Sequence, residues 1–541
     1  MHFFPLLLLS ALPGQADKPN ATELLTREIK VESRYLHLPV QNGAPKRRLK
    51  FEVDGKAVRE FEIELAQDRT DFHTFADLLA FRGKTVRVSA ALPPGSKALD
   101  AITVSDDLPS KDTLYDEKLR PRFHFTSRRG WLNDPNGLVF DGTHWHLYYQ
   151  HNPYGREWGN MHWGHATSPD LVRWKEEGIA LYPRAFGDWA FSGSAVLDKD
   201  NTSGFGTKDN PPLVLAYTST ARGECIAFST DRGQTWTEYD KNPVVKHAGR
   251  DPKLLWYSPG KHWVLAVYDE PKGKKRIAFY TSPDLKAWTF RSAIDDFYEC
   301  PDLFRLSVLG ERTAKWVLYA ADGKYLLGSF DGKSFTKESG KHQLWYGNFY
   351  AAQTFDNAPD GRRVQIGWAQ GVTFPGMPFN QQMTVPVELT LRKTPDGLRM
   401  FANPVEELKN LLVKRSEKVD IRLGAEPVVL AGGLDSAMLR IEFPAPKQGT
   451  VRLKVRGLDL VYDTAKETLT CGKAVAPLKP DEGKVLLRVL IDRGSVEVFA
   501  NAGALAMSVA HVAPDTDRTL TAAGNGALDR VTWWTMKSAW K

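Results

Sequence analysis

Regular structure first shows as alternating apolar and polar positions. "LKFEVDGKAVREFEIEL" (49–65) alternates on both sides of Asp54-Gly55. Asp-Gly between two alternating runs predicts a hairpin. "KTVRVSAAL" adds another strand, and residues 25–108 are expected to fold as a small N-terminal β-sandwich. The polar stretch "SDDLPSKDTLYDEKLRP" that follows reads as a linker. Near the other end, "KVLLRVLIDRGSVEVFANAG" predicts a hairpin about Asp492-Arg493-Gly494, in a strand-rich segment (390–541) expected to form a C-terminal β-sandwich.

Between these ends a loose repeat runs from 121 to 385. "SPDLVRW" (168–174), "STDRGQTW" (229–236), "SPDLKAW" (281–288) and "FDGKSF" (330–335) each place small or turn residues before an aromatic. The closing aromatics are 62, 52 and 47 residues apart. Each turn joins two apolar strands, and such periods suggest propeller blades. About 265 residues at this period predict a five-bladed β-propeller, so the fold class is all-β. A sandwich with long loops is the structural alternative.

The chain has 541 residues, 25% charged and 42% hydrophobic, which is ordinary composition for two or three globular domains. Its net charge of +7 is diluted, and Lys and Arg are scattered, which argues against a nucleic-acid partner. "MHFFPLLLLSALPGQADKPN" begins with an apolar run too short to span a membrane. It reads as a secretory signal cleaved after Ala16, placing the protein outside the cell, in a periplasm or on the cell surface. Cys225, Cys300 and Cys471 form neither a disulfide framework nor a metal spacing. The sequons at Asn20 and Asn201 matter only in a glycosylating host.

In a propeller, residues at one phase of the repeat converge on the axis. Asp134 in "WLNDPNG", Ser192 in "FSGSAVL", Asp251 in "GRDPKLLW", Glu299 in "YECPDLF", and Tyr350 with Gln353 in "NFYAAQTF" open the five repeats. The steps from Asp134 through Ser192, Asp251 and Glu299 to Tyr350 are 58, 59, 48 and 51 residues. Taken alone, Asp134 is a turn residue before a hairpin. Three carboxylates in phase instead suggest acid–base chemistry on a glycosidic bond, with one acid to protonate the leaving oxygen and one carboxylate to attack or to activate water. Cys300, beside Glu299, reads as a small buried residue rather than a nucleophile. The histidines of "HWHLYYQH" and "MHWGH" alternate with aromatics as strand faces do, so no metal or other cofactor is expected.

"WLNDPNG", "YYQHNP", "WGNMHWGHATS", "FSGSA", "RDP" and "ECPD", in this order, resemble glycoside hydrolase family 32, the β-fructofuranosidases, and "IDRGSVEVFANAG" resembles that family's C-terminal sandwich. The resemblance spans about 121–541 and leaves the N-terminal module outside the common core. It implies a retaining hydrolase of β-D-fructofuranosyl linkages in fructans (levan or inulin) and sucrose. Asp134 would be the nucleophile, Glu299 the general acid and then base, and Asp251 the stabiliser of the transition state. Retention implies a nucleophile and an acid about 5 Å apart. Asn133, Gln150, Trp158, Ser192 and Arg250 match positions around the fructosyl unit, with Trp131, Phe191 and Trp368 as apolar walls. Exo-action releasing fructose is expected. The alternatives are an endo-levanase, a fructosyltransferase using the same intermediate, an arabinan-directed five-bladed enzyme, and an inactive sugar-binding propeller. The last should have lost an acid, and all three are present. Oligomeric state is not encoded in any motif.

Overall fold

The computed structural model describes residues 22–540, so the expected leader (1–16) lies outside the described residues. The chain divides into two compact units, one ending at Pro109 and one beginning at Ser110. In the first, Glu23–Lys30, Thr85–Leu92, Arg47–Val53 and Lys56–Ile63 form one antiparallel sheet, and Phe72–Asp77, Tyr35–Val40 and Thr103–Ser105 form another. Asp54 and Gly55 have φ of 49° and 74°. A tight two-residue turn with the twist of its strands needs both to be positive. Leu36 and Leu38 of one sheet and Leu49, Phe51, Val86 and Val88 of the other are fully buried, as the alternation of their strands requires.

The second unit opens with five sheets whose first strands are Gly130–Phe140, Ala190–Leu197, Gly249–Tyr257, Asp302–Ser307 and Tyr350–Thr354. In each sheet three further strands follow antiparallel, and the first strands of neighbouring sheets touch around the ring, fifth against first included. These are the five blades of a propeller. The repeated turns connect the third and fourth strands of the first four blades. In each turn an Asp carboxylate accepts backbone N–H groups: Asp170 from Arg173 (2.8 Å), Asp231 from Thr235 (2.9 Å), Asp284 from Ala287 (2.9 Å) and Asp331 from Ser334 (2.7 Å). The residue after each Asp is left-handed: Leu171, Arg232, Leu285 and Gly332. The aromatic that ends each turn packs into a blade core.

The ring is closed by two short parallel pairings, one of them between Val139 and Asp356, where Phe140 N donates to Asp356 O (3.0 Å) and Asp356 N to Leu138 O (2.9 Å). Phe379–Asn380 pairs in parallel with Gly130–Trp131, adding a fifth strand to the first blade. The segment bearing them is inserted between the second strand of blade 5, Val364–Trp368, and its third, Val387–Thr394. Blade 5 therefore runs to Pro404, past the expected limit of 385. The insertion stretches the period, since Phe401 lies 66 residues after Phe335. It hides a fifth turn, Thr394-Pro395-Asp396-Gly397, that matches the others. The sandwich strands then begin with Leu412–Arg422 rather than at 390. The sandwich packs a seven-stranded sheet on a six-stranded one, and Trp345–Gly347, from the link between blades 4 and 5, joins the former at its edge.

Asp492, in the sandwich hairpin, ties the propeller to the sandwich. Its buried carboxylate accepts N–H bonds from Arg122 (2.7 Å), Phe123 (3.0 Å) and His124 (3.3 Å), and meets His124 Nδ1 at 2.9 Å. Glu497 Oε1 lies 3.5 Å from the other ring nitrogen. Burial opposes a charge on His124, yet Glu497 and Asp492 outweigh it and push its pKa up to about 9. Asp492→Ala should leave the buried imidazolium with Glu497 alone and strip three N–H groups of their acceptor, a loss of roughly 3–5 kcal/mol. Scanning calorimetry should show a large fall in Tm, and an unchanged Tm would remove Asp492 from this role.

Candidate active site

All five first strands present their opening residues at the same end of the ring. Regular pleating would send alternate side chains away from the axis, and local irregularities redirect them. Pairing slips between Leu132 and Pro135, Ala190 and Gly193, Arg250 and Lys253, and Tyr350 and Gln353. The residues inside the slips are Asn133-Asp134, Phe191-Ser192, Asp251-Pro252 and Ala351-Ala352. In blade 4, Glu299 and Cys300 immediately precede the strand with φ of 37° and 41°, and Asp251 has φ of 68°. Left-handed backbone at non-glycine residues is costly, and here it falls on two of the three acids, Asp251 and Glu299, and on Cys300.

The three carboxylates meet through shared donors. Asp134 accepts from Ser192 Oγ at 2.6 Å and from Asn133 Nδ2 at 3.1 Å. Cys300 Sγ lies 3.7 Å from Asp134 Oδ2 and 3.5 Å from Asp251 Oδ2, so one thiol spans both acids. Asp251 Oδ2 also accepts the Cys300 N–H at 3.1 Å. Arg250 donates through Nη2 to Glu299, with its Nε 3.8 Å from Asp251. Tyr350 donates its hydroxyl to the other oxygen of Glu299. Burial, then the charge of Asp134, push the pKa of Asp251 up to about 7. Burial and the charge of Glu299 also raise Asp134, against its bonds from Ser192 and Asn133. Burial and the neighbouring carboxylates hold the Cys300 thiol well above its ordinary range, as a neutral donor.

Aromatic walls flank the acids. Trp131 meets Trp368 edge to face at 6.1 Å, and Trp368 meets Tyr350 at 6.5 Å. On another side Trp158, 51% exposed, meets Phe191 at 6.0 Å. Below the acids the axis is closed by bonds between blades. Gln353 Nε2 donates to Gly193 O (3.0 Å), Ser194 Oγ to Pro252 O (2.8 Å) and Leu254 N to Ser194 Oγ (2.8 Å). Asn136, Ser194 and Gln353 are buried there. These bonds form a polar floor beneath the acids. A separate cavity of about 870 Å³ is lined by Leu197, Tyr257, Asp356 and others, at the far ends of the same strands, and none of Asp134, Asp251 and Glu299 lines it.

Asn133, Asp134, Ser192, Arg250, Asp251 and Glu299 thus form one bonded cluster, with Trp131, Phe191, Trp158 and Trp368 around it. Gln150 donates its amide to Ala190 O at 2.9 Å and so supports the seam between blades 1 and 2. Tyr350 was legible as a repeat opener, but its bond to Glu299 was not. Gln381, which accepts from the Trp368 indole, carries no sequence signal because it belongs to the inserted closing segment.

The chain matches the N-terminal domain model of glycosyl hydrolases family 32 over residues 124–404 and the family's C-terminal model over 407–534. It belongs to glycoside hydrolase family 32. Residues 21–123 match a domain of unknown function (DUF4980). The levanase of Bacillus subtilis (strain 168) is 38% identical over 451 residues, which span 72% of this chain and 66% of that protein. The extracellular exo-inulinase of Aspergillus ficuum is 30% identical over 495 residues, spanning 74% of this chain and 91% of its own. In the crystal structure of exo-inulinase from Aspergillus awamori, the match has a TM-score of 0.72 at 28% identity. It covers 79% of this chain and 100% of that one.

The buried Asp251 predicts a pH effect on stability. Unfolded, an aspartate titrates near ~3.9. Folded, Asp251 keeps its proton up to about 7. Between these values the native state binds the proton more tightly, so this group lowers stability as pH rises across the window. Asp251→Asn should abolish that decline. Its Tm should exceed the parent's at pH 8 and approach it near pH 4, and a gap that narrows toward pH 8 would contradict the assignment.

Proposed function

We propose that this protein is a secreted, retaining, exo-acting hydrolase of β-D-fructofuranosyl linkages in fructans, with sucrose as a lesser substrate. The observation that carries the reading is the cluster of three carboxylates above a closed floor, in a chain of family 32. The extracellular naming of the exo-inulinase relative supports secretion, and no described helix is long and apolar enough to cross a membrane.

The terminal fructosyl unit enters the pocket against Trp131 and Trp368. A carboxylate oxygen of Asp134 attacks the anomeric carbon while Glu299 gives its proton to the glycosidic oxygen, and the shortened chain leaves as an alcohol. Glu299, now a carboxylate, takes a proton from water, whose oxygen displaces Asp134 and releases fructose with configuration retained. Asn133 and Ser192 fix the direction of the attacking carboxylate. A phenol hydroxyl both donates and accepts, so Tyr350 serves Glu299 in both protonation states. Asp251, the most buried of the three, holds the sugar hydroxyls and, in its ionised form, stabilises the positive charge of the oxocarbenium-like transition state.

Asp134→Asn should lose several orders of magnitude in kcat with its fold intact, as removal of a nucleophile does. A variant keeping a tenth of the parent activity would refute the role. Glu299→Ala should retain more activity on a fructoside with an activated leaving group than on sucrose, because departure then needs no proton. Equal loss on both would displace Glu299 as the acid. Early chromatograms of levan digests should show free fructose, and a ladder of oligosaccharides before fructose would mean endo-action.

A further inference from the structure

The segment that closes the propeller also reaches the nucleophile. Gln381 is buried, with φ of 70°, immediately after the closing strand. Its Oε1 accepts from Trp368 Nε1 at 3.0 Å and from Gly371 N at 3.1 Å. Trp368 packs edge to face on Trp131. Trp131 Nε1 donates to Asn133 Oδ1 at 2.9 Å, and Asn133 Nδ2 donates to Asp134 Oδ1 at 3.1 Å. Each hydrogen-bonded link has one orientation in which it works, and the Trp368–Trp131 link is a packing contact. An indole N–H donates along one direction, and an Asn amide that accepts with its oxygen must present its nitrogen to the other side.

We infer that Gln381 is a positioning residue of the fructosyl-transfer step. Through Trp368, Trp131 and Asn133 it sets the angle at which the Asp134 carboxylate meets the anomeric carbon. The inference rests on Asp134 being the nucleophile. The same segment is fixed from outside the pocket. Gln382 Nε2 donates to Ser495 Oγ of the sandwich hairpin at 2.8 Å, and Asn380 Nδ2 donates to Arg156 O at 3.0 Å. The sandwich thereby holds the far end of a relay whose near end is the reacting carboxylate. A near-attack geometry is sensitive to displacements of an ångström, so loosening the far end should show in the rate.

The test uses the full chain on sucrose, at a temperature well below each variant's Tm. Gln381→Leu should lower kcat at least tenfold with KM changed less than threefold. Gln381→Glu, which keeps an accepting oxygen, should restore kcat to within threefold of the parent. Trp131→Phe removes the indole N–H while leaving the backbone pairing of Trp131 with Asn380 intact, and should reproduce the loss. The double variant should be no worse than the poorer single one, since both cut the same relay. The acidic limb of kcat/KM provides a second readout. Asn133 lowers the pKa of Asp134, so losing its alignment should move that limb to higher pH in Gln381→Leu and Trp131→Phe. Asp134 also faces Ser192, Asp251, Glu299 and Cys300, all of which these substitutions leave in place.

Additive losses, a pure KM effect or an unmoved limb would overturn the inference. If Gln381→Leu fails to fold, Gln381→Met, which keeps the volume and removes the amide, takes its place and must give the same loss of kcat and the same shift of the limb. An active Asp134→Asn would overturn the functional reading itself. An inactive Asp134→Asn beside an unaffected Gln381→Leu would overturn only the relay.

Discussion

Two short parallel pairings between the first and last blades, Phe379–Asn380 on Gly130–Trp131 and Asp356 on Val139, hold a ring of five blades closed. A propeller whose first and last blades do not meet leaves open edges, and its axial groups no longer share a centre. Here Phe379–Asn380 lies along Gly130–Trp131. So short a pairing needs support from outside itself. The Arg120 guanidinium lies 3.5 Å from the centre of the Phe379 ring, and Met383 N donates to Phe125 O at 3.0 Å. The sandwich contributes Ser495 on Gln382 and Asp492 on residues 122–124. A β-sandwich far from the chemistry is thus part of what keeps the acids in one place.

Placing those acids together works against stability. Buried carboxylates repel and lose hydration, and the shifts of Asp134 and Asp251 record both effects. The compensation is local. Arg250 and Tyr350 engage Glu299, Ser192 and Asn133 engage Asp134, and a neutral thiol bridges Asp134 and Asp251. Left-handed backbone at Asp251, Glu299 and Cys300 adds strain at the same spot, held by the β framework around it.

What was legible in the sequence follows from range. The turn aspartates, their aromatics and the phase of the acids are local patterns repeated several times, so five blades and Asp134, Asp251 and Glu299 could be read directly. The Asp54-Gly55 hairpin was readable because its turn demands those residue types. The end of blade 5 was misplaced because an insertion stretched one period, although Thr394-Pro395-Asp396-Gly397 was visible. Tyr350 on Glu299, Gln381 on Trp368 and Gln382 on Ser495 depend on contacts across 51, 13 and 113 residues, and no periodicity encodes them. Cys300 was read as packing, and its thiol proves to be both buried and a donor to two acids.

The closed floor bears on how a polymer would be consumed. A tunnel lets a chain slide forward after each cut, with product leaving ahead of it. In this pocket the bonds from Gln353 to Gly193 and from Ser194 to Pro252 shut that exit. On the proposed exo-action, the freed sugar would leave by the side through which the next terminus arrives, and the chain would withdraw between cuts. Turnover on a polymer of a given mass then scales with the number of its termini. A highly branched fructan would be consumed faster than a linear one of equal weight, and consumption would quicken as fragments multiply.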